Sequence, residues 1–185
     1  MTLAFARGAR RQVLLLGTLA SISIGAIFLG AGQSIAADTE VECNSIKIKM
    51  QDGGYDTICS AENVSDVTIE TLEANSTDGT HFLVVADLHT NYGYIFDTRG
   101  LRESLGDLFS ELTFEHWRGG NGEQGLTTSE FDSDYKTVPS ACVGFQKYVS
   151  REQWGGWRRH IVGFGCSRTG KRDDVYKALK LIDFP

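Results

Sequence analysis

The chain has 185 residues, a net charge of −6 at pH 7 and 41% hydrophobic residues. This acidic composition argues against general nucleic-acid binding, which needs an excess of lysine and arginine to neutralise phosphates. Charge is also unevenly divided: residues 38–135 hold 20 acidic and 5 basic residues, whereas residues 136–185 hold 4 acidic and 10 basic ones. The division predicts either a basic face for an anionic partner or two halves that attract each other within one fold.

The N-terminus has the pattern of a secretory signal peptide. Three arginines precede an apolar run at residues 13–30, and Ser34 and Ala36 have the small side chains of a cleavage site. We predict a signal peptide over residues 1–36 and a single exported domain over residues 37–185, which is periplasmic or secreted and has no membrane span after cleavage. A retained anchor is the alternative, because the apolar run is almost long enough to span a bilayer.

The chain contains four cysteines, Cys43, Cys59, Cys142 and Cys166, and all of them lie in the predicted exported part. An even number of cysteines in an exported domain indicates disulfides. Three pairings are possible. We favour Cys43 with Cys59 and Cys142 with Cys166, because each pair would link two short strands across a glycine-containing turn.

Alternating apolar residues predict antiparallel strands in the first half of the exported part. Residues 46–50 alternate, and we expect them to form a hairpin with residues 55–60. Residues 67–71 continue the period of two. The continuous apolar run from His81 to Leu88 is typical of a central strand that is buried on both faces.

Two segments have helical spacing. Leucines at this spacing predict an amphipathic helix over residues 99–112, in the middle of the chain, and a C-terminal helix begins at Asp173 or Asp174. Residues 118–135 are rich in glycine, serine, threonine and acids, which predicts a long mobile loop. We therefore predict an α+β fold: an antiparallel β-sheet with one central amphipathic helix, one C-terminal helix and two disulfides.

The segment from Cys142 to Cys166 predicts a β-hairpin of defined register. If the two cysteines oppose each other, Gly144 faces Phe164 and Phe145 faces Gly163, so that each bulky ring meets a glycine. The tip then consists of residues 151–157.

Cationic and aromatic residues are concentrated towards this tip, which predicts a binding surface. Its predicted members are Tyr148, Arg151, Trp154, Trp157, Arg158 and Arg159. Flat aromatic faces and guanidinium groups suit an anionic envelope component, a glycan or an acidic protein surface. The alternative is an ordinary core hairpin with a solvated tip.

Asp87 and His89 follow an apolar run in the pattern D-x-H-x-N, which resembles the first metal-binding motif of the calcineurin-like metallophosphoesterases. Residues 106–107 and 120–123 resemble later motifs of that family. The resemblance implies a metal-dependent hydrolase centred on Asp87 and His89. The chain departs from the family at Gly122, where the motif has histidine, and the fragments are too close together for βαβ crossovers.

Residues 165–171 have the G-x-x-x-x-G-K spacing of a phosphate-binding P-loop, but Arg172 stands where Mg²⁺ coordination requires serine or threonine. We expect a basic strand-to-helix turn instead, and we predict no cofactor and no resident metal. The leading hypothesis from sequence is a small exported protein that acts by binding, without catalysis, and the phosphoesterase-like hydrolase is the alternative.

Overall fold

The computed structural model describes residues 39–51, 53–95, 98–120, 122, 125–135, 138–151 and 155–185. These described residues belong to one compact unit. The predicted signal peptide and Trp154 lie outside the described residues. Neither helix that the structure describes has the length and hydrophobicity needed to cross a membrane.

Ten strands and two helices form the described part of the fold. The strands are β1 (Thr39–Val41), β2 (Lys49–Met50), β3 (Tyr55–Val64), β4 (Val67–Ser76), β5 (His81–Thr90), β6 (Glu115–Gly119), β7 (Thr127–Ser133), β8 (Ser140–Arg151), β9 (Trp157–Ser167) and β10 (Ile182–Asp183), and the helices are α1 (Leu101–Leu108) and α2 (Arg172–Leu179).

Eight strands form one antiparallel sheet in the order β1-β3-β4-β5-β9-β8-β7-β6, and β2 pairs with β10 separately. Strand β5 pairs with β4 on one side and with β9 on the other, and its residues 82–87 are buried. The predicted central strand at residues 81–88 is thereby confirmed, as is the antiparallel sheet with two helices.

Each face of the sheet has its own hydrophobic core and its own helix. Helix α2 packs with Leu72, Leu83 and Phe145 on one face, which we call the α2 face. Helix α1 packs with Phe131 and Phe164 on the other, which we call the α1 face. Because successive side chains of a strand point to opposite faces, the central strands supply both cores at once.

Both predicted disulfides are present, and the predicted register of the β8–β9 hairpin is confirmed. Cys142 pairs with Cys166, Phe145 with Gly163 and Gly144 with Phe164. A side chain at Gly163 would overlap the opposite ring of Phe145, whereas one at Gly144 would overlap Leu105 of α1 and press on Phe131.

Gly163→Ala should destabilise the protein by about 1–3 kcal/mol, because its methyl group would overpack the α2-face core. The added Cβ would overlap the carbonyl oxygen of Val84 and would lie 2.7 Å from a ring carbon of Phe145. Gly119→Ala is the control, because nothing lies within 4 Å of the corresponding Cβ. Urea unfolding compares the two variants, and equal loss of stability in both would contradict the packing described here.

Helix α1 is shorter than the predicted residues 99–112, and the prediction of a central helix is not confirmed. The helix begins after Gly100, and its C-terminal neighbour Phe109 has left helical geometry, with φ −125° and ψ 71°. The ring of Phe109 packs edge-on against Phe164, with the ring centroids 5.0 Å apart. The helix ends where this ring packs against the sheet.

The predicted hairpin between residues 46–50 and 55–60 is wrong. Lys49 and Met50 pair with β10, whereas β3 pairs with β4 through a turn at Ser65, whose φ is 55°. The alternating pattern nevertheless reported burial correctly, because Ile46 and Ile48 lie in the α2-face core. Alternation identifies the buried side chains but does not identify the partner strand.

The predicted mobile loop at residues 118–135 contains the whole of β7 and the end of β6. Phe131 is fully buried and stacks on Trp117, with the ring centroids 5.4 Å apart. On β7, Glu130 accepts hydrogen bonds of 2.9 and 2.7 Å from Arg118 and lies 3.8 Å from the Nε of Arg172. Two of the acids that made this segment resemble a loop, Glu130 and Asp132, form ion pairs with arginines of β6 and α2.

Both edges of the sheet are short or irregular. At one edge, the three residues of β1 cover only residues 59–61 of β3. At the other, the pairing of β6 with β7 shifts between Glu115 and Arg118, and His116 has a positive φ of 50°. Such a shift is typical of a β-bulge, which twists the edge of a sheet.

Candidate functional site

Three of the predicted binding residues form a stack where β8 and β9 approach the tip of their hairpin. The ring of Tyr148 lies parallel to that of His160 at 4.1 Å and lies 5.6 Å from that of Trp157. The guanidinium of Arg151 lies 5.8 Å from the Trp157 ring centroid. The side chains of Tyr148 and Trp157 are half-buried, whereas Arg151 is exposed.

A segment that follows β5 adds Tyr94 to this surface. Ile95 and Trp157 exchange backbone hydrogen bonds of 2.7 and 3.0 Å, which brings residues 91–95 alongside the start of β9. The guanidinium of Arg158 lies 5.3 Å from the Tyr94 ring centroid, and Tyr92 is 82% exposed. Sequence reasoning missed Tyr94, although the polar turn N-Y-G-Y was a usable signal.

We call this surface the aromatic edge. Its members are Tyr94, Tyr148, Arg151, Trp157 and Arg158.

Arg159 has a different role from its predicted neighbours. Its Nε donates to Oδ1 of Asp87 at 2.7 Å, and its terminal nitrogen forms an ion pair with the other oxygen. The carboxylate is fully buried and the arginine side chain is 14% exposed. Asp87 comes two residues after Val85, which belongs to the α2-face core, so the two side chains point to the same face of the sheet. This ion pair therefore lies on the α2 face.

Asp87 also belongs to a group of possible metal ligands with Glu70 and His89, whose ligand atoms lie within 4.8 Å of one another. Burial and, to a lesser extent, Lys47 lower the pKa of His89. Both oxygens of Asp87 are already bound by Arg159, which supplies positive charge at the place where a metal would. In the structure, this group is therefore a buried ion pair between Asp87 and Arg159, with Glu70 and His89 beside it.

Among the described residues, the first two fragments that resemble the metallophosphoesterase motifs do not come together, and most of the third lies outside the described part of the chain. Asp87 and His89 lie within β5 and not beyond its end, and Asp107 lies in α1 on the opposite face of the sheet. The sheet is antiparallel throughout its pairings, whereas the predicted motif arrangement needs βαβ units.

The P-loop-like turn at residues 165–171 is held by structural contacts. Cys166 is oxidised, and Lys171 precedes α2 without a side-chain cap. Arg172 forms an ion pair with Asp132 and donates to the carbonyl oxygen of Phe131 at 3.1 Å. Together with Arg159 and Asp87, this pair shows basic residues of the C-terminal half bound to acids of the first half, as the second explanation of the charge division requires.

A pocket of about 230 Å³ lies between α1 and the sheet and borders the aromatic edge through Tyr148. Its walls are mostly apolar. Leu88, Ile95 and Leu108 line it together with the rings of Tyr148 and His160. Burial lowers the pKa of His160 to about 4, so that its imidazole is neutral at pH 7.

Comparisons with known proteins give no match: no family model, no curated protein and no solved structure matches this chain. The geometry of its own side chains is therefore the basis for assigning a function.

Proposed function

We propose that this protein is a small exported binding protein that holds an anionic polysaccharide of the cell envelope or its surroundings against the aromatic edge. The observation that carries the proposal is the pairing of exposed guanidinium groups with aromatic rings, Arg151 with Trp157 and Arg158 with Tyr94. An acidic protein surface would engage the same arginines but would make less use of the flat rings.

Each half of this pairing suits one part of such a ligand. A ring face offers a flat apolar surface with negative potential, against which the C–H groups of a sugar can pack. A guanidinium group binds a carboxylate or a sulfate through two parallel hydrogen bonds. An arginine that already lies over a ring loses less side-chain freedom when it binds, and this preorganisation favours affinity.

Two features of the chain are compatible with this role. Two disulfides crosslink the domain, and among the described residues neither helix has the length and hydrophobicity to cross a membrane. These features are compatible with a periplasmic or extracellular protein. Binding outside the cytoplasm also needs no nucleotide or redox cofactor.

The alternative function is a metal-dependent hydrolase centred on Asp87 and His89, and the spacing of Glu70, Asp87 and His89 is what supports it. We favour binding because Arg159 takes both oxygens of Asp87. Elemental analysis of purified protein, with a phosphoesterase screen, separates the two functions: a stoichiometric metal with activity would favour the hydrolase.

Arg151→Glu combined with Arg158→Glu should weaken binding of polygalacturonate, a polymer of uronic acid, by roughly tenfold or more, because two guanidinium contacts are replaced by repulsion. Isothermal titration calorimetry measures the affinity, and neutral dextran gives the contribution of sugar packing alone.

The matched control is Lys171→Glu combined with Lys177→Glu, which changes the net charge by the same amount. Both lysines are exposed; Lys171 precedes α2 and Lys177 lies within it. We expect its affinity for polygalacturonate to stay within about twofold of the parent. Equal weakening in both double variants, with both folds intact, would contradict the proposal, and so would a parent protein that does not bind the polymer.

A further inference from the structure

The α1 face of the sheet is packed over only part of its width. Helix α1 packs on residues of β5, β7, β8 and β9, whereas that core contains no residue of β3 and, from β4, only the partly buried Ile69. On the α2 face the same two strands are covered, because Ile46 and Ile48 pack there with Cys59 and Leu72. The described residues therefore leave the α1 side of β3 and β4 largely exposed, and we call this surface the β3–β4 face.

The width of the β3–β4 face matches one helix. Neighbouring strands lie about 4.8 Å apart and a helix with its side chains is about 10 Å wide, so one helix covers about two strands. Strands β3 and β4 have 10 residues each, which corresponds to a length of about 33 Å. A helix of about 20 residues has the same length. Helices that pack on a sheet turn an apolar stripe towards it.

Apolar and acidic side chains lie side by side on the β3–β4 face. Ile58 of β3 is paired with Glu73 of β4. Four residues further along β3, Glu62 is paired with Ile69. Because Ile69 packs against the α1-face core, its partner Glu62 points to the same side, and so does Ile58, which is an even number of residues away. Ile58 is 52% exposed and Val64 is 47% exposed, so this face offers apolar surface to a partner.

A groove of about 270 Å³ lies between the β3–β4 face and the end of α1. Glu62, Ile69 and Phe109 are among the residues that line it. A second hollow shares Phe109 and Tyr135 with this groove and reaches Glu111. Burial raises the pKa of Tyr135, and the acids beside it, including Glu111, raise it further. The groove therefore combines an apolar lining with negative potential.

The charge of this region has one sign. Residues 51–98, which contain β3, β4 and β5, hold nine acidic residues and no lysine or arginine. On β3, Asp56 and Glu62 lie an even number of residues from Ile58 and therefore on the same side. Such a surface attracts a cationic partner and repels a polyanion, so the polysaccharide proposed above does not suit it.

We propose that the β3–β4 face is the docking site of a basic amphipathic helix of a partner protein. The apolar stripe of that helix packs on Ile58, Ile69 and Phe109, and lysines or arginines beside the stripe reach Glu62 and Glu111. Burial of apolar surface supplies the affinity, and the complementary charges select the partner. This site is independent of the aromatic edge, with which it shares no residue.

The probe is a synthetic 18-residue helix of leucine and lysine that carries its leucines on one face. One control peptide has glutamate in place of every lysine, and a second keeps the composition but spreads the leucines around the helix. Isothermal titration calorimetry with the exported domain, residues 37–185, measures the affinities. We expect a Kd of about 10 μM for the probe and at least tenfold weaker binding of each control. In a chemical-shift titration, the largest shifts should fall on amides of β3 and β4.

Glu62→Lys combined with Glu111→Lys should weaken binding of the probe by roughly tenfold or more, because two attractions become repulsions. The matched control is Glu115→Lys combined with Asp183→Lys, which changes the net charge equally at exposed positions of β6 and β10. Its affinity should stay within about twofold of the parent. Ile58→Thr keeps a β-branched side chain and should weaken binding by about threefold through lost apolar contact.

Three results with the probe would overturn the proposal: no binding at 1 mM peptide, equal weakening by both double variants with their folds intact, or shifts that map away from β3 and β4. A parent protein that dimerises in light scattering, and becomes monomeric in the Glu62→Lys and Glu111→Lys variant, would also overturn it by assigning the face to a second copy of the chain. None of these results bears on polygalacturonate binding, so the two proposals fail separately.

Discussion

Arg159→Met should lower the free energy of unfolding by about 3–5 kcal/mol, because it leaves a fully buried carboxylate without its cation. Asp87 has no exposed surface, and Arg159 binds both of its oxygens. Methionine keeps much of the arginine volume, so the loss would report charge and hydrogen bonding more than packing. Urea unfolding at pH 7, monitored by circular dichroism, measures the change.

Arg158→Met is the matched control, because Arg158 is the preceding residue and its side chain is exposed. Its cost should stay within about 0.5 kcal/mol. Adding Asp87→Asn to Arg159→Met should restore part of the lost stability, since the buried group is then neutral. Similar unfolding midpoints for Arg159→Met and Arg158→Met would show that the ion pair contributes little.

Replacing Cys142 and Cys166 together by alanine should cost about 3.5 kcal/mol through the freedom that the unfolded chain regains. The two cysteines are 24 residues apart, and both are fully buried in the α1-face core. The smaller alanine side chains leave space there, which adds a further packing cost. Thermal unfolding of the double variant beside the parent protein measures the sum.

The pair Cys43 and Cys59 is the internal comparison, because its 16-residue separation predicts a loss of about 3 kcal/mol. Cys59 is fully buried but Cys43 is only partly buried, so less packing is lost there than at the hairpin, where both cysteines are fully buried. We therefore expect the Cys142–Cys166 double variant to be the less stable of the two. The reverse order would contradict the role assigned to the hairpin disulfide.

The β8–β9 hairpin was predictable to the residue because several independent restraints agreed. The cysteines, the ring-to-glycine pairs and the turn all required the same register. The apolar run of β5 was equally clear, since burial on both faces leaves no polar alternation. Where one restraint stood alone, as in residues 46–50, the strand partner was predicted wrongly.

Strand β7 was missed because its polarity is compensated from elsewhere in the chain. Glu130 and Asp132 are bound by Arg118 and Arg172, which are respectively 12 and 40 residues away. A single sequence reports the acid but not the arginine that will face it. The end of α1 was missed for a similar reason, because the contact of Phe109 with Phe164 overrides helical spacing.

Only part of the candidate site could be derived from the sequence. Composition indicated a cluster of cations and aromatic rings near the hairpin tip, and the structure brings Tyr148, Arg151 and Trp157 together there. The direction of Arg159 depends on β9 lying beside β5, and the contribution of Tyr94 depends on a backbone bridge at Ile95. Neither neighbour could be derived from the residues themselves. The pocket was not predicted because its walls come from β5, α1, β8 and β9, which come together only in the folded chain.

The irregular edges of the sheet restrict the way in which this protein can meet a partner. The uncovered parts of β3 are short and carry Asp56 and Glu62, and the bulge at His116 interrupts the other edge. Along the edges that the structure describes, a second chain would find only short or interrupted rows of amide and carbonyl groups to extend, an arrangement that disfavours strand exchange and fibril growth. This favours recognition through side chains, whose specificity can change by surface substitution without disturbing the sheet.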